Sequence, residues 1–283
     1  MRTLGLEVKL GRDLFARRGG YAGTPQQRAA DLHVMFADPQ VKAIWAARGG
    51  SGCATVLPCL DYGLIKAHPK VVVGYSDVTA LHLALLARAG MVSFHGPVSS
   101  STFSPFSEAH LRGVLFDAPH TLAMPVRDRD ADASLPAEIE PYVIREGSAE
   151  GALVGGNLST LCALVGTPYF PDTPGCLLFL EDIGEAPYRI DRMLTQLEQA
   201  GVFASVAGVI LGVFRKCAPT DDEPSLTLRE VFEDRFGSLG VPCAYGFAVG
   251  HISQQLTLPL GVRARMDAAT RTITLLEPAV EKG

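Results

Sequence analysis

The sequence predicts an α/β protein: a parallel sheet flanked by helices in the first half, then a second half of different texture. Three observations carry that expectation. Residues 41–47 (VKAIWAA) and the three valines at 71–73 have the unbroken apolar pattern of strands buried on both faces. Each run leads through glycine into a stretch of helical character, the βαβα rhythm of a sheet covered by helices. After about residue 140 the texture changes, beginning with alternation over residues 142–155.

The elements follow in order. Residues 4–8 read as a helix end and then a strand, which implies a partner element upstream. Thr24-Pro25-Gln26-Gln27 is a helix start, with Thr at the cap, Pro at the first position and Gln three residues on. That helix stops near Asp38-Pro39. The strand at 41–47 ends in Arg48-Gly49-Gly50-Ser51-Gly52, whose backbone N–H groups could face an anion or simply turn the chain. One or two short helices, broken at Pro58, lead to the valine strand. From Asp77 the pattern is helical, with Val78, Leu81, Leu85 and Leu86 on one side. A short strand and turn follow at residues 91–97, where His95 either holds a turn through the backbone or takes part in chemistry. Residues 117–137 suit a linker, so the chain divides into an N-terminal domain at 1–120, a crossing at 121–140 and a C-terminal domain at 141–283.

In the second half, residues 142–155 resemble a hairpin around Glu146-Gly147-Ser148, and Gly155-Gly156-Asn157 opens a helix through Val165. The strand at 176–180 ends in Glu181-Asp182-Ile183-Gly184-Glu185. Acids at the end of an apolar strand require a reason, because burying charge is costly. Asp182 or Glu185 could start the next helix, from about Pro187 to Ala200, or Glu181 could accept a hydrogen bond from a histidine. Tyr188, Arg189, Asp191 and Arg192 form a polar helix face of the kind usually solvated or salt-bridged. Another strand spans residues 206–213 and a short amphipathic helix residues 226–236. After an apolar run at 243–247, His251 falls in a loop, where a rigid scaffold commonly carries its reactive groups. A hairpin around residues 267–270 closes the chain.

Composition excludes several classes. The 283 residues are 47% hydrophobic and 19% charged, with a formal net charge of −5. No Lys/Arg tract exists to follow a nucleic-acid backbone, and no apolar run has the length of a membrane span. The six cysteines are scattered without a C-x-x-C pair, and no apolar signal core follows Met1-Arg2-Thr3. They read as thiols of a cytoplasmic protein. The histidines are dispersed and H-E-x-x-H is absent, so neither a metal nor a cofactor is expected.

Ser76 is the candidate nucleophile. It lies where a buried strand turns into a helix, so its hydroxyl would point outward beside the N–H of Asp77 at the helix start. G-x-S-x-G is not matched, because position 78 is Val, and a plain helix cap at Ser76 or Asp77 explains the same residues. The ambiguity is resolved by a resemblance. Arg48-Gly49-Gly50, Gly74-Tyr75-Ser76-Asp77, Leu180-Glu181-Asp182 with Tyr188-Arg189-Ile190-Asp191-Arg192, and Gly250-His251 with Leu258-Pro259-Leu260-Gly261 resemble, as a set, the LD-carboxypeptidase family. That family includes murein tetrapeptide carboxypeptidases and microcin C immunity proteins. Phe94-His95-Gly96-Pro97 and Gly155-Gly156-Asn157-Leu158 also match its signatures, and the resemblance spans essentially the whole chain.

The resemblance implies a parallel α/β N-terminal domain, flavodoxin-like or class I amidotransferase-like, plus a smaller β-rich C-terminal domain, a small peptide substrate and a homodimer. It implies a Ser76–Glu181–His251 triad, with Glu185 the alternative acid, and an oxyanion hole from the N–H groups of Gly49, Gly50 and Asp77. Arg48 is a candidate cation for a substrate carboxylate, or a partner for a surface acid. Asn157 either binds the peptide backbone or caps a helix. Family members usually carry a further strand and helix before the equivalent of Leu4; if the protein itself starts here, the first sheet is expected to lack a central-type strand.

Overall fold

A computed structural model of the chain describes residues 4–119, 122–124, 140–219 and 224–281. Two sheets organise them. In the first, β1 (Ala43–Trp45), β2 (Val71–Gly74) and β3 (Ser93–His95) run parallel. The helices that link such strands explain the rhythm read from the sequence. Helix α1 (Pro25–Ala37) starts at a complete capping box between Thr24 and Gln27, and α2 (Tyr62–Ala67) starts at Asp61. Helix α3 (Thr79–Ala89) connects β2 to β3 and ends at Gly90 in the left-handed conformation. Every residue of α3 from Thr79 to Leu85 is buried, because it packs on β3 and also on the second half of the chain. Helix α4 (Pro105–Arg112) follows, capped by Ser104.

The second sheet is the larger. Its centre is parallel: β6 (Ser148–Asn157), β7 (Leu177–Ile183), β8 (Gly208–Arg215) and β9 (Cys243–Gly250), linked through α5 (Leu158–Cys162), α6 (Pro187–Gln199) and α7 (Leu228–Phe236). Strands β7, β8 and β9 are buried almost throughout, as expected of parallel strands covered on both faces. Antiparallel strands extend both sides: β4 (Leu122–Met124), β12 (Thr272–Leu275) and β11 (Arg263–Asp267) beyond β6, and β5 (Tyr142–Arg145) beyond β9. The last two strands form the expected hairpin. Strand β10 (Leu258–Leu260) instead returns to the first sheet and pairs antiparallel with β3. The two halves are also tied by the Asn157 N–H, which donates to Thr79 Oγ1 at 3.0 Å.

Several expectations change. Residues 142–155 are no hairpin: β5 pairs with β9, whereas β6 lies four strands away between β11 and β7. Alternation marks exposure on one face but not the identity of the partner strand. Residues 4–8 contain no strand, and Glu7 and Val8 are exposed. The helix after Asn157 ends at Cys162, well short of Val165. Of the expected linker, Leu122–Met124 is a strand on β12, while residues 120–121 and 125–139 lie outside the described residues. Among the described residues, no helix is long and apolar enough to cross a membrane, and no cluster of three or more His, Cys, Asp or Glu could hold a metal ion.

Candidate active site

The proposed nucleophile sits at a strained corner. Strand β2 ends at Gly74, where a Cβ would lie 2.8 Å from Val78 Cγ1 and 3.0 Å from the Ala46 methyl. Ser76 then adopts φ 64°, a left-handed conformation uncommon for a residue other than glycine. Such a conformation costs on the order of 1–3 kcal/mol and persists only where its surroundings enforce it. Here it opens the single turn Ser76–Val78 that leads into α3. The first N–H groups of such a turn have no acceptor within it, which leaves the Asp77 N–H beside the hydroxyl.

The glycine loop closes over this corner. A Cβ on Gly49 would stand 3.0 Å from Ser76 Cβ and 3.2 Å from its Oγ, so only glycine permits the approach. Gly50 has φ 135°. The loop is fixed from below by the Asp77 carboxylate, which accepts the Cys53 N–H at 2.9 Å. Burial raises the Asp77 pKa above the ordinary carboxylate value, against the lowering effect of the N–H groups of Cys53 and Gly52. One residue thus offers its N–H to the site and holds the opposite loop with its side chain.

Glu181 and His251 meet on the other side. Glu181 lies at a register break near the end of β7 and His251 directly after β9, on parallel strands that flank β8. Glu181 is fully buried, and its Oε2 lies 2.8 Å from His251 Nδ1. A carboxylate acceptor at Nδ1 fits the imidazole tautomer whose Nδ1 carries the proton and whose Nε2 faces away from Glu181. Glycines make room for it: a Cβ on Gly250 would fall 2.9 Å from Glu181 Oε2, and one on Gly212 3.2 Å from Glu181 Cβ. Glu185, the other acid left open by the sequence, pairs with Arg189 at 3.6 Å. The Tyr75 ring links the two sides, with its centroid 4.9 Å from that of His251. Among the described residues no hydrogen bond joins Ser76 Oγ to His251; catalytic bonds of this kind commonly tighten only when substrate binds.

Other candidates have different surroundings. Asn157 caps α5: its Oδ1 accepts from the Thr160 N–H, and its Nδ2 donates to Asp182 at 3.0 Å. Burial raises the Asp182 pKa. Arg48 is exposed, its Nε donating to the Gly49 carbonyl at 3.1 Å, and no carboxylate among the described residues pairs with it. His95 holds no turn. Both ring nitrogens are buried without a partner among the described residues, and the ring packs edge-on against Tyr75 and Phe179. Burial depresses its pKa well below the usual imidazole value, so the ring stays neutral.

Sequence reasoning missed the supports of His251. Ser107 Oγ accepts the Gln255 N–H at 2.8 Å and donates to the Ser253 carbonyl at 3.0 Å, pinning the histidine loop to α4. Gln255 Nε2 donates to the Gly250 carbonyl, and Arg215 Nη1 to that of His251 at 3.1 Å. These contacts span up to 148 residues and carry no local sequence signal, although Tyr75 was adjacent to the candidate nucleophile throughout.

Comparison with known proteins agrees with this architecture. Residues 1–96 match the family model of the LD-carboxypeptidase N-terminal domain, and residues 150–266 that of its C-terminal domain. A probable murein peptide carboxypeptidase of Bacillus subtilis (strain 168) is 41% identical over 100% of this chain and 86% of its own length. The crystal structure of muramoyltetrapeptide carboxypeptidase from Oxalobacter formigenes superposes with a TM-score of 0.78 at 30% identity, covering 93% of this chain and 86% of that one. MccF in complex with glutamyl sulfamoyl guanosine gives 0.82 at 25% identity, covering 96% and 86%. Both halves and nearly the full length are accounted for, and the chain belongs to the LD-carboxypeptidase family.

Proposed function

We propose that the chain is a cytoplasmic serine carboxypeptidase that hydrolyses an L,D peptide bond, releasing terminal D-alanine from murein tetrapeptide during cell-wall recycling. The 2.8 Å pairing of buried Glu181 with His251, across the Tyr75 ring from strained Ser76, carries the reading. His251 Nε2 takes the Ser76 proton as Oγ attacks the scissile carbonyl, while Glu181 stabilises the imidazolium. The N–H groups of Gly49, Gly50 and Asp77 hold the oxyanion, and loss of one such donor typically costs about 10²–10³ in turnover. His251 returns the proton to the leaving amine, and water then releases the acyl group by the same steps. In this reading the site is formed between an N-terminal domain that supplies the nucleophile and a C-terminal domain that supplies acid and base, divided at about residues 121–140. The family resemblance further supports a homodimer.

Ser76→Ala is expected to abolish D-alanine release from murein tetrapeptide while leaving the circular dichroism spectrum unchanged. Turnover that persists in the variant refutes the assignment. The likeness to MccF bound to a glutamyl sulfamoyl nucleoside favours a second reading, an amide hydrolase of peptidyl-nucleotides with the same triad. Turnover of a peptidyl-nucleotide in place of the tetrapeptide would select it. A serine-directed probe that fails to label Ser76 would instead leave a non-catalytic binding protein.

A further inference from the structure

A carboxypeptidase reads the charged end of its substrate, and the direction of the chemistry locates the cation that does so. The scissile carbonyl oxygen faces the oxyanion donors, whereas the leaving amine receives its proton from His251. In the leaving amino acid, amine and carboxylate share one α-carbon. The group that binds the carboxylate therefore stands beside the histidine, away from the glycine loop.

Two exposed arginines flank the cleft. Arg48 belongs to the glycine loop, where its Nε donates to the Gly49 carbonyl and its Nη2 lies 3.1 Å from where a Gly50 Cβ would be. Arg215 ends β8, in register with Ile183, two residues beyond the triad acid on β7. Its Nη1 donates to the His251 carbonyl at 3.1 Å, which fixes the guanidinium against the histidine loop while most of its N–H donors remain uncommitted. It is also near enough to act electrostatically on the Tyr75 phenol, whose ring packs on His251. No carboxylate among the described residues pairs with Arg215. A guanidinium anchored through one nitrogen still offers the paired N–H geometry that fits a carboxylate.

We propose that Arg215, rather than Arg48, receives the C-terminal carboxylate of the peptide and makes this site selective for a free chain end. The proposal rests on the carboxypeptidase reading above and assigns the leaving-group side of the same cleft.

Binding to the Ser76→Ala protein tests it without turnover. The probes are murein tetrapeptide with its free D-alanine carboxylate and the same peptide as its C-terminal carboxamide, each titrated calorimetrically. The carboxylate form is expected to bind at least about tenfold more tightly, the scale of one charge-assisted hydrogen bond. Adding Arg215→Gln should bring the two affinities together, Arg215→Lys should restore part of the difference, and Arg48→Gln should leave it intact. Mere loosening of the histidine loop would weaken both peptides alike and leave the ratio unchanged, which overturns the proposal. So would a preference that disappears only with Arg48→Gln, or a Ser76→Ala protein that binds neither peptide. Failure of the carboxypeptidase reading looks different: the carboxylate preference depends on Arg215, but the wild-type protein releases no D-alanine.

Discussion

At the scale of single residues, the site is set by a few atoms that no other side chain would replace. Glu181 is fully buried, and its Oε1 has no hydrogen-bond partner among the described residues, so in the proposed triad it acts through Oε2 and its bond to His251. Glutamine has the same shape but can present an amide N–H to Nδ1, which selects the wrong imidazole tautomer. Glu181→Gln is therefore expected to lower kcat by about 10⁴ with little change in KM, the scale of the equivalent change in other triads. Glu185→Gln should stay near wild-type kcat, because that acid pairs with Arg189 on the helix surface. Steady-state kinetics on the two variants, with melting curves to establish folding, checks the assignment. Equal losses in both would sink it.

At the scale of elements, α4 holds the His251 loop from a distance. Ser107 makes the bonds to Gln255 and Ser253 on the chain that follows His251, and Ser104 Oγ donates back to Ser107 at 3.1 Å. Ser107→Ala takes from the buried Gln255 N–H its acceptor, which costs about 1–3 kcal/mol. The variant should melt at lower temperature and lose kcat through a misplaced imidazole, and Ser107→Thr, which keeps the hydroxyl, should recover both. A lowered melting temperature with unchanged kcat would make Ser107 merely structural. The limits of sequence reading show in the same elements. The strands at Val71–Gly74 and Leu177–Ile183, the capped helix at Pro25–Ala37 and the closing hairpin were legible, because period, caps and turn residues act locally. Ser76 was legible as a strand-to-helix corner, and Glu181 as an acid in need of a reason. Which strand β5 would join, the return of β10 to the first sheet and the grip of Ser107 on the histidine loop depend on long-range packing that leaves no periodic trace.

At the scale of the whole molecule, α3 and β10 join the two sheets, and buried histidines are concentrated at this junction. His82 on α3 bonds the Gly74 carbonyl through Nε2 at 2.9 Å, and His110 on α4 accepts the Thr257 N–H at 3.1 Å through Nδ1. Burial lowers the pKa of each to about 4, and His95 between them in sequence lies well below its usual value for the same reason. All three are neutral in the folded protein, whereas an unfolded chain protonates histidine below about 6.5. As pH falls from 6.5 towards 4 the unfolded state takes up protons that the fold refuses, so stability is lost across that window, by roughly 3 kcal/mol at most for each ring at pKa 4. Asp77 and Asp182, whose folded pKa values are raised, act in the opposite sense, but nearer the carboxylate range. The urea midpoint should therefore fall steadily between pH 7 and pH 5. His110→Gln removes one refusing ring while an amide oxygen can still accept from Thr257, so its midpoint should fall less steeply. A wild-type midpoint that stays flat across this range would mean that the rings at the junction take up protons without opening the fold.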